Sequence, residues 1–125
     1  MVKTTTAVRR SIAAYAEKLE QVIQVDKVVL FGSYAQGNAR EESDIDVAII
    51  SDDLAGYDVH AKVHLLAERA VGCDTLLAPV GYTLRQYEHA DRLSFLNEIK
   101  CTGKVVWERN KRRKRAPRKA TARRK

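Results

Sequence analysis

The 125-residue sequence is short of cysteine and proline, with two of each, and has no uninterrupted apolar run long enough to cross a bilayer, about 18 residues. No membrane-spanning helix is therefore expected. The opening MVKTTTAVRRSIAAYAEKLE is too charged beyond Arg9 to supply a secretory apolar segment. Cys73 and Cys101 lie in apolar surroundings without C-x-x-C or Cys/His spacing, and are read as reduced core or near-core thiols of a cytoplasmic protein. His60, His64 and His89 form no ligand set: the first two share a helical face, but two imidazoles are too few for zinc, and surface positions are expected.

Acidic residues are missing from one end. From Arg109 onward, RNKRRKRAPRKATARRK holds eleven Lys or Arg and no acid, which leaves twelve basic against sixteen acidic residues in positions 1–108, a net of −4. The overall charge of +7 thus belongs to an appendix on a mildly acidic domain. The expected organisation is a domain over 1–108 and a basic tail over 109–125 that cannot bury enough apolar surface to fold. Such a tail can contact RNA phosphates, dock on an acidic partner or only add solubility; no aromatic residue follows Trp107, so base stacking is unsupported.

What the domain does have is alternating helix and strand patterning. Val8, Ile12, Tyr15, Ala16, Leu19 and Ile23 recur at spacings of three and four, predicting a helix over 5–22 with threonine caps. VVLF at 28–31, ended by Gly32, suits a buried strand. A short helix over 33–39 and a strand over 43–50 follow, then a loop over 51–56. The 57–71 segment predicts a helix with Val59, Val63, Leu66, Ala67 and Ala70 on one face; CDTLLAPV at 73–80 predicts a third strand, with Pro79 favouring an edge position or a strand terminus. Thr83 is placed as a cap, Leu93, Phe95, Leu96 and Ile99 mark a helix over 91–101, and GKVVW closes with a strand. The fold class expected is α/β (α+β), a mixed sheet flanked by helices.

Chemistry concentrates in FGSYAQGNAREESDIDVAII, residues 31–50. Two residues apart on a strand, Asp44 and Asp46 project to one face, roughly 6–7 Å apart at their roots. Like charges so placed repel unless a cation bridges them, and Mg²⁺ is commonly held by one or two carboxylates plus substrate phosphates. A solvated strand face explains the pair alone as well. Gly32 and Ser33, at a strand-to-helix turn, offer free backbone N–H groups at a positive helix end, a natural phosphate cradle, although an ordinary turn with a Ser cap has the same residues. Cradle and acid pair together are the more restrictive combination.

Gly32, Ser33, Gly37, Ser43, Asp44 and Asp46 resemble the signature of the nucleotidyltransferase superfamily that includes DNA polymerase β. The pattern is closest to minimal nucleotidyltransferases: Gly-Ser, a spacer with a second glycine, then Ser-Asp-x-Asp. The order of elements extends the similarity over about residues 5–107. The resemblance implies a nucleotidyltransferase-like core and a third carboxylate from a later strand. Asp74, the only acid at the start of the predicted third strand, is assigned that place, holding two Mg²⁺ with Asp44 and Asp46.

It further implies ATP as substrate, Gly32 and Ser33 on its terminal phosphates, and AMP transfer to a hydroxyl. Arg40 is a candidate to neutralise the triphosphate, or a solvated loop residue; the family often has Arg where this chain has Gln36. Minimal members resemble antitoxins that pair with HEPN-type ribonuclease toxins and transfer AMP to a toxin tyrosine. With no substrate domain evident, the acceptor surface is expected from another protein or a second subunit. Two alternatives stand beside this: a non-catalytic nucleotide-binding antitoxin that neutralises by masking, and an RNA-directed transferase guided by the basic tail.

Overall fold

A computed structural model describes residues 4–109. The first helix, α1 (Thr5–Leu19), begins where the Thr4 hydroxyl accepts the Ala7 N–H at 3.0 Å, and it buries Val8, Ile12, Tyr15, Ala16 and Leu19 along one face. It stops three residues before the expected end. The Glu20 carboxylate accepts the Val25 N–H at 2.6 Å, which turns the chain toward the sheet and leaves Val22 exposed.

Four strands form one mixed sheet in the order β3-β2-β1-β4: β1 (Lys27–Phe31), β2 (Ile45–Ile50), β3 (Leu77–Tyr82) and β4 (Lys104–Glu108). Central β1 and β2 are antiparallel, β4 is antiparallel to β1, and β3 runs parallel to β2. The edge position that Pro79 favours is the one β3 occupies, where a missing N–H costs no ladder bond on the open side.

Because strand side chains alternate, the sheet has two faces. Val28, Leu30, Ile45, Val47 and Ile49 pack in the main core with α1 and with α3 (Val59–Ala70). Val29, Ala48 and Ile50 form a smaller core with Leu96 and Ile99 of α5 (Phe95–Thr102). Each fully buried Val, Leu or Ile removes apolar surface from water worth about 1.5–3 kcal/mol.

Elsewhere the boundaries move for local reasons. The short helix α2 is a single turn, Ser33–Gln36, closed by Gly37 in the left-handed conformation. The 51–56 loop contains a 3-10 turn, Asp52–Gly56. Helix α3 starts after Asp58, whose carboxylate accepts the Ala61 N–H at 2.7 Å; it buries Leu65 and Leu66, while Val59 and Val63 are 69% and 60% exposed. Of the expected stripe only Leu66 is buried and Ala70 half-buried, and the two valines line an open groove beside β3.

Thr83 caps α4 (Leu84–Glu88) in a reciprocal capping box with Gln86. Residues 91–94 turn before α5, with the Leu93 N–H on Asp91 Oδ1 at 2.9 Å, so Leu93 and Phe95 stand 88% and 56% exposed instead of in the core. Cys73 is half-buried against the main core, but Cys101 is exposed, contrary to expectation; both are free thiols. His60, His64 and His89 are all exposed. Of the 109–125 run, only Arg109 lies within the described residues; its N–H reaches the Asp26 carbonyl at 3.0 Å and its guanidinium pairs with Glu20 at 2.5 Å. No described helix is long and apolar enough to cross a membrane.

Candidate active site

The polypeptide bends sharply where β1 ends. Gly32 adopts φ 75° and ψ −152°, which only glycine takes without strain, and leads directly into α2. Ala35 and Gln36 N–H groups both reach the Gly32 carbonyl at 3.1 Å, so the turn is closed by its own backbone. Glycine offers no side chain to cap it, and the leading amides of a helical turn have no acceptor inside that turn.

Asp46 faces this bend from β2. It stands opposite Phe31 in the antiparallel pairing with β1. A β-carbon at position 32 would collide with Asp46 Oδ2 and lie 3.1 Å from its Cγ, so glycine is the residue that lets carboxylate and bend share the space. Burial pushes the Asp46 pKa up, and the charge of Asp44 pushes it further. That is the electrostatic state of an acid pair that gains by taking a cation between its members.

Asp44 lies just ahead of β2, not in it, and is exposed. Ser43 and Arg40 close the turn before it: the Arg40 N–H donates to Ser43 Oγ at 2.7 Å and the Ser43 N–H to the Arg40 carbonyl at 3.0 Å. Ser43 therefore fixes the approach of Asp44 to the strand, and Arg40, exposed, stands at the other end of the same turn.

Asp74 is not brought to this pair. It precedes β3 by three residues, in a turn where its Oδ1 accepts the Leu76 N–H at 2.9 Å. It lines a hollow with Arg10, Ser11 and Ala14 of α1, on the main-core side of the sheet, whereas Asp46 lies on the face of Ala48 and Ile50. Among the described residues no three His, Cys, Asp or Glu side chains group closely enough to hold a metal ion. The expected convergence of three carboxylates is not seen among the described residues: the parallel register sets Ala78, not Asp74, beside Asp46. Asp44 and Asp46 are hard oxygen donors, and the charge of Asp44 adds to the cost of ionising Asp46; the pair fits one Mg²⁺ completed by substrate phosphates.

A hollow of about 310 Å³ opens beside Asp46, lined by Phe31, Gly32 and Gln36 and, from α5, by Phe95, Glu98 and Thr102. The Phe31 and Phe95 rings meet edge to face at 5.8 Å, forming an aromatic wall next to Asp46. Apolar patterning marks Phe95 as a residue of the 91–101 helix and gives Glu98 and Thr102 no role. The signal was present in the i, i+3, i+7 spacing of the three on one helical stripe.

Residues 11–112 match the family described as polymerase beta, nucleotidyltransferase. A Methanocaldococcus jannaschii protein assigned as a protein adenylyltransferase, MJ0141, is 33% identical over 84 residues, covering 66% of this chain and 80% of its own length. Among solved structures, a chain of a toxin–antitoxin crystal structure with AMP-PNP superposes with a TM-score of 0.57 at 26% identity, over 80% of this chain and 73% of that one. A chain of the Shewanella oneidensis complex of a tri-AMPylated HEPN toxin with its MNT antitoxin shares the fold, with a TM-score of 0.54 at 20% identity over 84% of this chain and 73% of the other.

Proposed function

The chain belongs to the polymerase beta nucleotidyltransferase family, and from that premise we propose that it transfers AMP from ATP, with Mg²⁺, to a hydroxyl of a partner protein, a tyrosine of a HEPN-type ribonuclease toxin, and so acts as its antitoxin. The observation that carries this reading is the packing of Asp46, charged against Asp44, onto the Gly32 bend. In the reaction the acceptor hydroxyl gives up its proton to solvent water, its oxygen bonds to the α-phosphorus of ATP, and the bond to the β-phosphate breaks to release pyrophosphate.

Gly32 and Ser33 receive the terminal phosphates on the backbone of the bend, beside the Asp46 carboxylate that packs against Gly32. Asp44 and Asp46 would hold Mg²⁺, which supplies neutralisation of the charge developing on the phosphates. Arg40, at the rim of the same loop, adds long-range positive charge. Phe31 and Phe95 stand beside Asp46 and give an aromatic acceptor a surface. The adenylyltransferase assignment of MJ0141 and the toxin–antitoxin setting of the AMP-PNP structure support transfer to a partner protein; the HEPN type of that partner comes from the sequence resemblance.

Co-expression with a HEPN partner and α-labelled ATP tests the proposal. Label is expected on a partner tyrosine and is lost with Asp46→Ala, and reduced at least tenfold with Ser33→Ala. A partner that both variants silence as well as wild type, with no label, would instead establish neutralisation by masking. That second reading is favoured by the placement of Asp74 away from the acid pair. An RNA-directed transferase guided by the basic run would show RNA in place of protein as the labelled product.

A further inference from the structure

Two-ion phosphoryl-transfer sites clamp the attacking and the leaving oxygen with ions about 3.5–4 Å apart. Each hard ion needs close to six oxygen ligands, of which the protein supplies one or two carboxylates beside substrate phosphates and water. Around Asp46 the neighbouring positions are fixed by strand pairing. On β1 the residue opposite is Phe31, and on β3 the residue abreast in parallel register is Ala78. Side chains abreast in a sheet share a face, so the position from which β3 would reach the Asp46 carboxylate carries a methyl group.

No other element makes up the deficit. Asp74, four residues earlier, is committed to the turn and lines the hollow under α1. Glu98 lines the hollow beside Asp46, but no third acid groups with Asp44 and Asp46 among the described residues. Asp46 is thus flanked across the sheet by two side chains without an oxygen atom.

We propose that this site takes a single divalent ion with its nucleotide, and that Ala78 is the residue that sets the number. The inference rests on the nucleotidyltransferase reading for the presence of an ATP site, but it concerns ion stoichiometry and not transfer. In a one-ion site the acceptor hydroxyl has no second ion to acidify it.

The test counts Mn²⁺ by electron paramagnetic resonance and by calorimetry on the full chain saturated with a non-hydrolysable ATP analogue. Wild type is expected to retain one Mn²⁺ per chain and Ala78→Asp two; Ala78→Asn, which matches Asp in size without its charge, should retain one. Two ions on wild type, none at all, or one on a folded Ala78→Asp would overturn the proposal. Should Ala78→Asp fail to fold, the wild-type count still decides whether one ion or two is held. A count of one rising to two with no AMP transfer in either protein upholds the inference while removing the transferase reading, so the two failures are distinguishable.

Discussion

Gly32 and Asp46 occupy each other's space: the glycine backbone bends at φ 75° where any β-carbon would strike the Asp46 carboxylate. Gly32→Ala therefore does two things. It imposes backbone strain of about 1–3 kcal/mol, and it displaces Asp46. Gly37 has φ 80° but open space around it, so Gly37→Ala carries the strain without the displacement. Both variants are expected to melt several degrees below wild type, and only Gly32→Ala should lose Mg²⁺-dependent ATP binding in calorimetry. Retained ATP binding by Gly32→Ala would separate the bend from the nucleotide.

Removing the charge of Asp46 should help the empty fold. Burial first, and Asp44 second, raise its pKa in the folded chain above the ordinary 3.8. The folded state then holds more protons than the unfolded one between the two values, and stability falls as pH rises through that window. The penalty is present in full above the folded pKa and vanishes below the ordinary one. In EDTA at neutral pH, Asp46→Asn is expected to melt at or above wild type, with the gap closing in acid. Added Mg²⁺ and ATP should reverse the order, raising wild type only. A variant that melts below wild type in EDTA contradicts this sign.

Much of this architecture was legible in the sequence because its signals are local. VVLF, the Gly-Ser bend and the Asp-x-Asp strand start are contiguous, and Thr83 with Gln86 is a four-residue capping pattern. The failures are of long range. Which residue of CDTLLAPV stands beside Asp46 depends on the pairing of Ile45 with Leu77, and no periodicity within the segment encodes that register. Likewise Val59 and Val63 fit an apolar helical stripe, but which side of α3 meets the sheet was decided by Leu65 and Leu66 entering the core. Apolar spacing identified the helix and left its rotation open.

Tyr15 should act as an alkaline trigger for unfolding. Its hydroxyl, fully buried, donates to the Leu66 carbonyl at 2.7 Å and ties α1 to α3. Burial, with Cys73 contributing less, pushes the phenol pKa above its ordinary 10.0. Stability from this group is present below the unfolded value and is lost as pH rises past it, because the unfolded chain ionises first. Tyr15→Phe is expected to cost about 1–3 kcal/mol at neutral pH and to flatten the decline in melting temperature above about pH 10. An unchanged alkaline limb in the variant would show that other groups drive it.

Glu20 ties the end of α1 to the residue that follows β4. One carboxylate oxygen, Oε2, accepts both the Val25 N–H at 2.6 Å and the Arg109 guanidinium at 2.5 Å, and the Arg109 N–H is held by Asp26. Both partners are mostly shielded, with side chains 15% and 27% exposed, so this pair escapes much of the screening that makes surface ion pairs weak. Removing the acid also frees the amide that stops α1. Glu20→Ala is therefore expected to cost about 2 kcal/mol, and Arg109→Ala less, because the bond from Val25 survives. Since the two share one oxygen, the double variant should cost less than the sum of the singles. A thermodynamic cycle by urea denaturation measures the coupling, and strictly additive losses would mean that Arg109 and Glu20 stabilise the fold independently.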